Sequence, residues 1–245
     1  MPEVLSKAIV EANEAAIHVA LVDGDDIAFS FDGKTRHVAA PERAAEYLSA
    51  IARGESFDGD ADDRITILCC TDSKQDPCCA RYGFATWKTL REQADPSRFR
   101  VLQSTHLGGC RFAATLLVLP NRQRYGRLEP QQVSDFLQCL SKGRPYLPAY
   151  RGNPLLAPVA QVAEQAAMDF AADLGLVSQV SLQESPVSKR DTGEAEFLAR
   201  TASLELCVRL RQTSFDVNTR CNTIAEGSGT ETIRWQVVAV DRVSD

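Results

Sequence analysis

Between Arg64 and Lys142 the apolar pattern switches between strand and helix period, and that order constrains the fold more than any other feature. Arg64-Ile65-Thr66-Ile67-Leu68-Cys69-Cys70 is a short β-branched run that reads as a buried strand. Cys79 to Gln93 comes next at helical spacing, with Ala80, Phe84, Trp87 and Leu90 on one face. Phe99 to Ser104 reads as a second strand, and Thr115–Leu119 with Gln123–Leu128 as a hairpin turning at Pro120-Asn121. Pro130 to Lys142 reads as a helix stopped by Gly143. Strand, helix, three strands, helix within about eighty residues predicts a small mixed sheet covered by helices.

The flanks are read in the same way. Glu3 to Ala16 predicts a helix, and Ile17–Asp23 with Asp26–Phe31 a strand pair turning at Asp23-Gly24-Asp25. Pro41 opens a helix to Ala52, and Gly54 to Asp63 reads as an acidic loop. After the Tyr150-Arg151-Gly152 turn comes a helix from Ala157 to Asp173. Strand-like runs lie beyond it at Val177–Leu182, Ala202–Leu210, Phe215–Thr219 and Thr232–Val240, with Gln183 to Glu194 as a flexible loop. The predicted class is α/β, with an N-terminal α/β segment over 1–63, a core domain over 64–174 and a β-rich extension over 175–245. The core pattern is thioredoxin-like, although periodicity alone does not separate it from other α/β sandwiches.

Charge and apolar content exclude several classes. The 27 Lys and Arg against 33 Asp and Glu give a net charge of −6, the wrong sign for a general nucleic-acid binder. Runs such as Ala113–Pro120 fall far short of the ~20 apolar residues that span a bilayer. Met1-Pro2-Glu3 lacks the basic start of a signal peptide, so a cytoplasmic protein is expected.

In that reducing setting the 8 cysteines are not expected to form a disulfide framework. Cys69, Cys70, Cys78, Cys79 and Cys110 crowd one window with His106, whereas Cys139, Cys207 and Cys221 are scattered and read as small packing residues. Cys70 ends one strand and Cys79 opens the next helix; His106 and Cys110 flank Gly108-Gly109 at the end of the following strand. Neighbouring strands lie about 5 Å apart, so loops leaving one sheet edge can bring the four side chains together. Three thiolates and an imidazole suit an iron–sulfur cluster or zinc. The eight-residue gap between Cys70 and Cys79 is wider than the short pairs usual for structural zinc, and tilts the choice modestly to a cluster.

These motifs carry a resemblance. Cys70-Thr71-Asp72-Ser73-Lys74-Gln75-Asp76-Pro77-Cys78-Cys79-Ala80-Arg81-Tyr82-Gly83 resembles the first signature of the sucrase/ferredoxin-like family, the thioredoxin-like ferredoxins. Ser104-Thr105-His106-Leu107-Gly108-Gly109-Cys110-Arg111-Phe112-Ala113 resembles the second, which usually ends with His in the place of Cys110. Leu117-Val118-Leu119-Pro120, Tyr125-Gly126-Arg127-Leu128 and Tyr150-Arg151-Gly152 resemble the family's later stretches, so that the likeness runs from about Ile65 to Asp173. The resemblance implies a [2Fe-2S] cluster with Cys70, Cys79 and His106 at matching ligand positions and Cys110 as a substituted fourth. It also implies a one-electron carrier acting between redox partner proteins, a reductase or an acceptor, rather than a stand-alone enzyme. Nothing supports the sucrase half of the name, because no paired-carboxylate glycosidase signature is present.

Two other classes compete. A structural zinc domain could use the same four ligands, and a metal-free thiol protein could pair Cys78-Cys79 or Cys69-Cys70, although the Cys-x-x-Cys of thioredoxins is absent. Cys69 and Cys78 otherwise read as packing residues, His18 and His37 as surface or structural, and Trp87 and Trp235 as core. Arg111, Arg124, Arg127 and Arg151 read as solvated or salt-bridged surface, with tuning of an anionic cluster or docking of an acidic partner as the alternative.

Overall fold

A computed structural model describes residues 1–24, 27–74, 77–176, 179–188, 190–218, 227 and 229–243. Helix α1 (Glu3–Glu14) leads to a hairpin of β1 (Ala28–Phe31) and β2 (Lys34–His37), then α2 (Pro41–Ala52) and the two-residue β3 (Asp60–Ala61). The helices meet through Ala8, Ala12 and Ala45, small enough for close approach, with Leu48 packed beside them. The strand pair expected around Asp23-Gly24-Asp25 does not form, and Asp25 and Asp26 lie outside the described residues. Instead β1 pairs with β2 across Asp32-Gly33, whose φ angles of 49° and 75° supply the left-handed turn a two-residue hairpin needs. Residues 17–23 run past the central sheet, and Val22 bridges Ser104 there.

The central sheet contains β4 (Ile65–Cys70), β5 (Phe99–Ser104), β6 (Thr115–Leu119), β7 (Gln123–Gly126) and β8 (Tyr150–Gly152), in the order β5-β4-β6-β7-β8. Only β4 and β5 are parallel; α3 (Phe84–Gln93) makes the crossover between them, as a parallel pair requires. Together with α4 (Val133–Ser141) this is the thioredoxin-like mixed sheet that the sequence predicts. Ile67, Leu116, Tyr125 and Phe136 are fully buried between sheet and helices, and the Tyr125 hydroxyl donates to Gln123 Oε1 at 2.8 Å. Tyr150–Gly152, expected as a turn, is a short strand paired with β7.

Helix α5 (Pro158–Asp173) has two partners. Met168 joins the central core, and Glu164 accepts a hydrogen bond from the Tyr150 hydroxyl at 2.8 Å. Ala163 and Ala167 meet the inner face of a second sheet of β9 (Ser181–Glu184), β10 (Glu194–Arg200), β11 (Glu205–Val217) and β12 (Thr230–Arg242), antiparallel in the order β12-β11-β10-β9. The β-rich extension is therefore present, with corrections. Strand β10, whose buried Ala195, Phe197 and Ala199 alternate with Glu194, Glu196, Leu198 and Arg200, fills a stretch after the expected loop where no strand was expected, and β9 takes in the loop's first residues, Gln183 and Glu184. Of the run expected over Ala202–Leu210, residues 205–210 join Phe215 in one continuous strand while residues 202–204 precede it, and Val177 and Thr219 lie outside the described residues. No described helix is long and apolar enough to cross a membrane.

The start of α3 departs from its expected face. Residues Cys79–Gly83 form one wide i→i+5 turn before the α-helical hydrogen bonds begin, so an extra residue rotates the rest of the helix. The buried positions are Cys79, Gly83, Thr86 and Leu90, and Phe84 is left 49% exposed. Thr86 donates its hydroxyl to the Leu128 carbonyl at 2.8 Å, which fixes that orientation. Gly83 sits so close to the end of β4 that a Cβ there would come 2.0 Å from the Cys70 carbonyl oxygen. Gly83→Ala should therefore cost about 1–3 kcal/mol of stability. A urea midpoint equal to that of the unaltered chain would refute the close approach.

Candidate metal centre

Alternation along β4 sorts the adjacent cysteines, because successive strand residues face opposite sides. Cys69 joins the main core, donates its thiol to the Gly83 carbonyl at 3.4 Å, and burial pushes that thiol up. Cys70 faces the other side, where it packs with Leu68, Cys79, Leu107 and Cys110. The wide turn at the helix start brings Cys79 back over the strand end, and Cys78 is left half-buried beside it.

The second loop leaves β5 beside Cys70, since Cys70 pairs with Ser104. Gly108 and Gly109 take φ of 85° and 73°, a left-handed pair that folds Cys110 back towards His106. Thr115 donates its hydroxyl to the Gly109 carbonyl at 3.3 Å and so ties the turn to β6. Asp72 links the two loops: it accepts from the Lys74 backbone N–H at 2.9 Å and from the His106 backbone N–H at 3.3 Å. The N-terminal segment braces the same place, as Leu21 donates to Thr105 Oγ1 at 3.0 Å and Thr105 returns its N–H to the Leu21 carbonyl at 2.8 Å. Neither Asp72 nor Leu21 stands out in sequence; an acid two residues before a backbone donor is the usual mark of a local turn, and only that signal was available for Asp72.

The four side chains singled out in the sequence come together as a row. Cys70 and Cys79 share a thiol hydrogen bond, Cys79 and Cys110 share another, and Cys110 Sγ lies 3.4 Å from His106 Nδ1. Cys70, Cys79 and Cys110 are nearly inaccessible, while His106 is half-buried. Among the described residues, no three His, Cys, Asp or Glu side chains converge as a single metal ion would need. The hydrogen bond from Cys79, then the Asp72 and Leu107 backbone N–H groups and His106, outweigh burial and bring the Cys70 thiol down to about 6. Cys79, as the donor to Cys70 and buried beside it, moves the opposite way. The pair thus favours loss of a proton from Cys70, and the thiolate is the form in which sulfur binds metals. His18 and His37 are exposed, Cys139 and Cys207 are half-buried elsewhere, and Cys221 lies outside the described residues. None of the seven described cysteines is disulfide-bonded.

The arginines around the second loop are not salt-bridged, contrary to one reading of the sequence. Arg111, Arg127 and Arg151 gather on the ring of Phe112, and neither they nor Arg124 make an ion pair among the described residues.

Among solved structures, two of a thioredoxin-like [2Fe-2S] ferredoxin from Aquifex aeolicus are similar to this chain at 18% identity. One is covered in full by 38% of this chain with a TM-score of 0.34, and the other over 91% of its length by 36% with a TM-score of 0.33. No curated protein matches. The family model described as sucrase/ferredoxin-like matches residues 7–152, more than half of the chain. That match begins well before Ile65, taking in the N-terminal helices and hairpin, and stops at β8 rather than running through α5. The chain belongs to the sucrase/ferredoxin-like family.

Proposed function

We propose that Cys70, Cys79, His106 and Cys110 hold a [2Fe-2S] cluster and that the chain carries one electron at a time between partner proteins. The observation that carries this reading is the unbroken run of three sulfurs and one imidazole in mutual contact within an apolar pocket. The eight residues between Cys70 and Cys79 are a wider gap than the short pairs usual for structural zinc, which sets zinc on the same ligands second. When bound, such a cluster supplies a reversible one-electron couple. The chain's own residues account for the rest. The Cys79 thiol and the Asp72 and Leu107 N–H groups aimed at the Cys70 sulfur favour negative charge there. Leu68, Leu107 and Ala113 limit water, and the left-handed glycines let the second loop fold close without a side chain in the way.

In this reading residues 64–174 form the cluster-bearing domain, with 1–63 and 175–245 as additions packed against it. A cytoplasmic setting, where thiols stay reduced, suits the unbridged cysteines. The chain acts as a carrier rather than a stand-alone catalyst.

Anaerobic treatment with iron and sulfide should give a brown protein with visible charge-transfer bands that dithionite bleaches, and with iron and acid-labile sulfide in equal amounts. Colourless protein that retains zinc, or metal-free protein with reversible thiol oxidation, would sink the proposal. Three thiolates and one neutral imidazole carry one negative charge fewer than four thiolates. The midpoint, followed by EPR-monitored titration, should therefore lie above the ~−400 mV of plant-type ferredoxins. Cys110→His should keep the cluster and raise the midpoint by on the order of 100 mV, whereas Cys110→Ala should lose the colour with its circular dichroism intact. An unchanged midpoint in Cys110→His would remove Cys110 from the ligand set.

A further inference from the structure

Phe112 comes directly after Arg111 on the loop that carries Cys110, and its half-buried ring collects cations from three places in the chain. The guanidinium carbon of Arg151, from β8, lies 3.7 Å from the ring centroid; that of Arg111 lies at 4.6 Å and that of Arg127 at 5.3 Å. Arg234, from β12 of the second sheet, stands close enough for its charge, after burial, to lower the Arg111 proton affinity. Arg124 reaches towards the Gly108 turn. Elsewhere in the chain arginines find acids, as in Arg36–Asp58, Arg64–Asp62 and Arg200–Glu205. Here four like charges are crowded together with no ion pair to an acid among the described residues.

We propose that Arg111, Arg127 and Arg151, assembled on Phe112 beside Cys110, form together with the neighbouring Arg234 the docking platform for an acidic face of a protein redox partner. The identity of that partner as a redox protein rests on the electron-carrier reading above; the binding itself does not. With a net charge of −6 the whole chain repels an acidic protein, so attraction has to come from one locally positive face, and this is where the cations are concentrated. Contact with one ring restrains the guanidinium groups of Arg111, Arg127 and Arg151 before the partner arrives, which reduces the side-chain ordering that binding costs. The neighbouring hollow, of about 260 Å³, is lined by Arg127 but by none of Arg111, Arg151 and Arg234. Arg151 and Arg234 are exposed and Arg111 is half-buried, a spread of cations that suits a protein face better than a small anion held in a concavity. Phe215 lies diagonal to Arg234 on the same face of the β11–β12 ladder and is 41% exposed, an apolar contact to accompany the charges. The second sheet thereby acquires a role: it brings one of the four cations.

The test uses the full chain as isolated and a fluorescently labelled octaglutamate peptide in low salt. Binding should weaken about two- to fivefold in each of Arg127→Gln, Arg151→Gln and Arg234→Gln, the scale of one exposed ion pair. It should weaken at least about tenfold in the Arg151→Gln/Arg234→Gln double variant and stay unchanged in Arg144→Gln, an exposed arginine away from Phe112. Peptide affinity indifferent to the three substitutions, or reduced as much by Arg144→Gln, would overturn the platform. So would tight binding of tripolyphosphate by a chain that ignores the peptide, because that marks a small-anion site. Brown protein that fails this assay refutes the docking alone. Colourless protein that passes it refutes the iron reading and leaves an acidic-protein platform.

Discussion

Parallel pairing of β4 with β5 sets Cys70 beside Ser104, so both strands deliver their following segments to the same edge of the sheet. One segment returns as the wide turn holding Cys79, and the other as the glycine turn holding Cys110. Antiparallel neighbours would have sent these segments to opposite ends. The link made by Asp72 and the brace made by residues 21–23 refine a meeting that the strand order already arranges. The family match, over residues 7–152, includes the residues that form this brace.

The parts of the fold that could be read from the sequence are those governed by local chemistry. Pro41 pre-sets the first turn of α2, and its bounds come out as expected. Strands β4 and β5 are short apolar runs with turn signals on both sides and need no distant partner to be recognised. The four chemical residues stand at spacings that loops leaving one edge can satisfy, and the structure brings them together. The features that escaped reading depend on contacts far apart in sequence. Phe84 occupies an ideal helical position for burial and is nevertheless exposed, because Gly83 must lie against the Cys70 carbonyl and the wide turn shifts the face. Strand β10 is flanked by polar text, and its alternation gains meaning only once Ala163 and Ala167 of α5 cover it.

That helix joins the two sheets by being narrow. Alanines on one side let the second sheet approach closely, while Met168 and Glu164 reach the central sheet on the other. A long side chain at Ala163 or Ala167 would wedge the sheets apart and would move Arg234 with them. The arrangement of cations around Phe112 therefore depends on packing far from any arginine.

The neighbouring cysteines at the end of β4 have a consequence for how the chain can change. One sulfur belongs to the structural interior and the other to the reactive side, and only the phase of the strand assigns them. Gain of a single residue between Ile65 and Leu68 would carry Cys69 into the place of Cys70 instead of emptying that end of the pocket of thiol. Duplicated sulfur at this point makes the chemistry tolerant of a slip that would otherwise remove a donor.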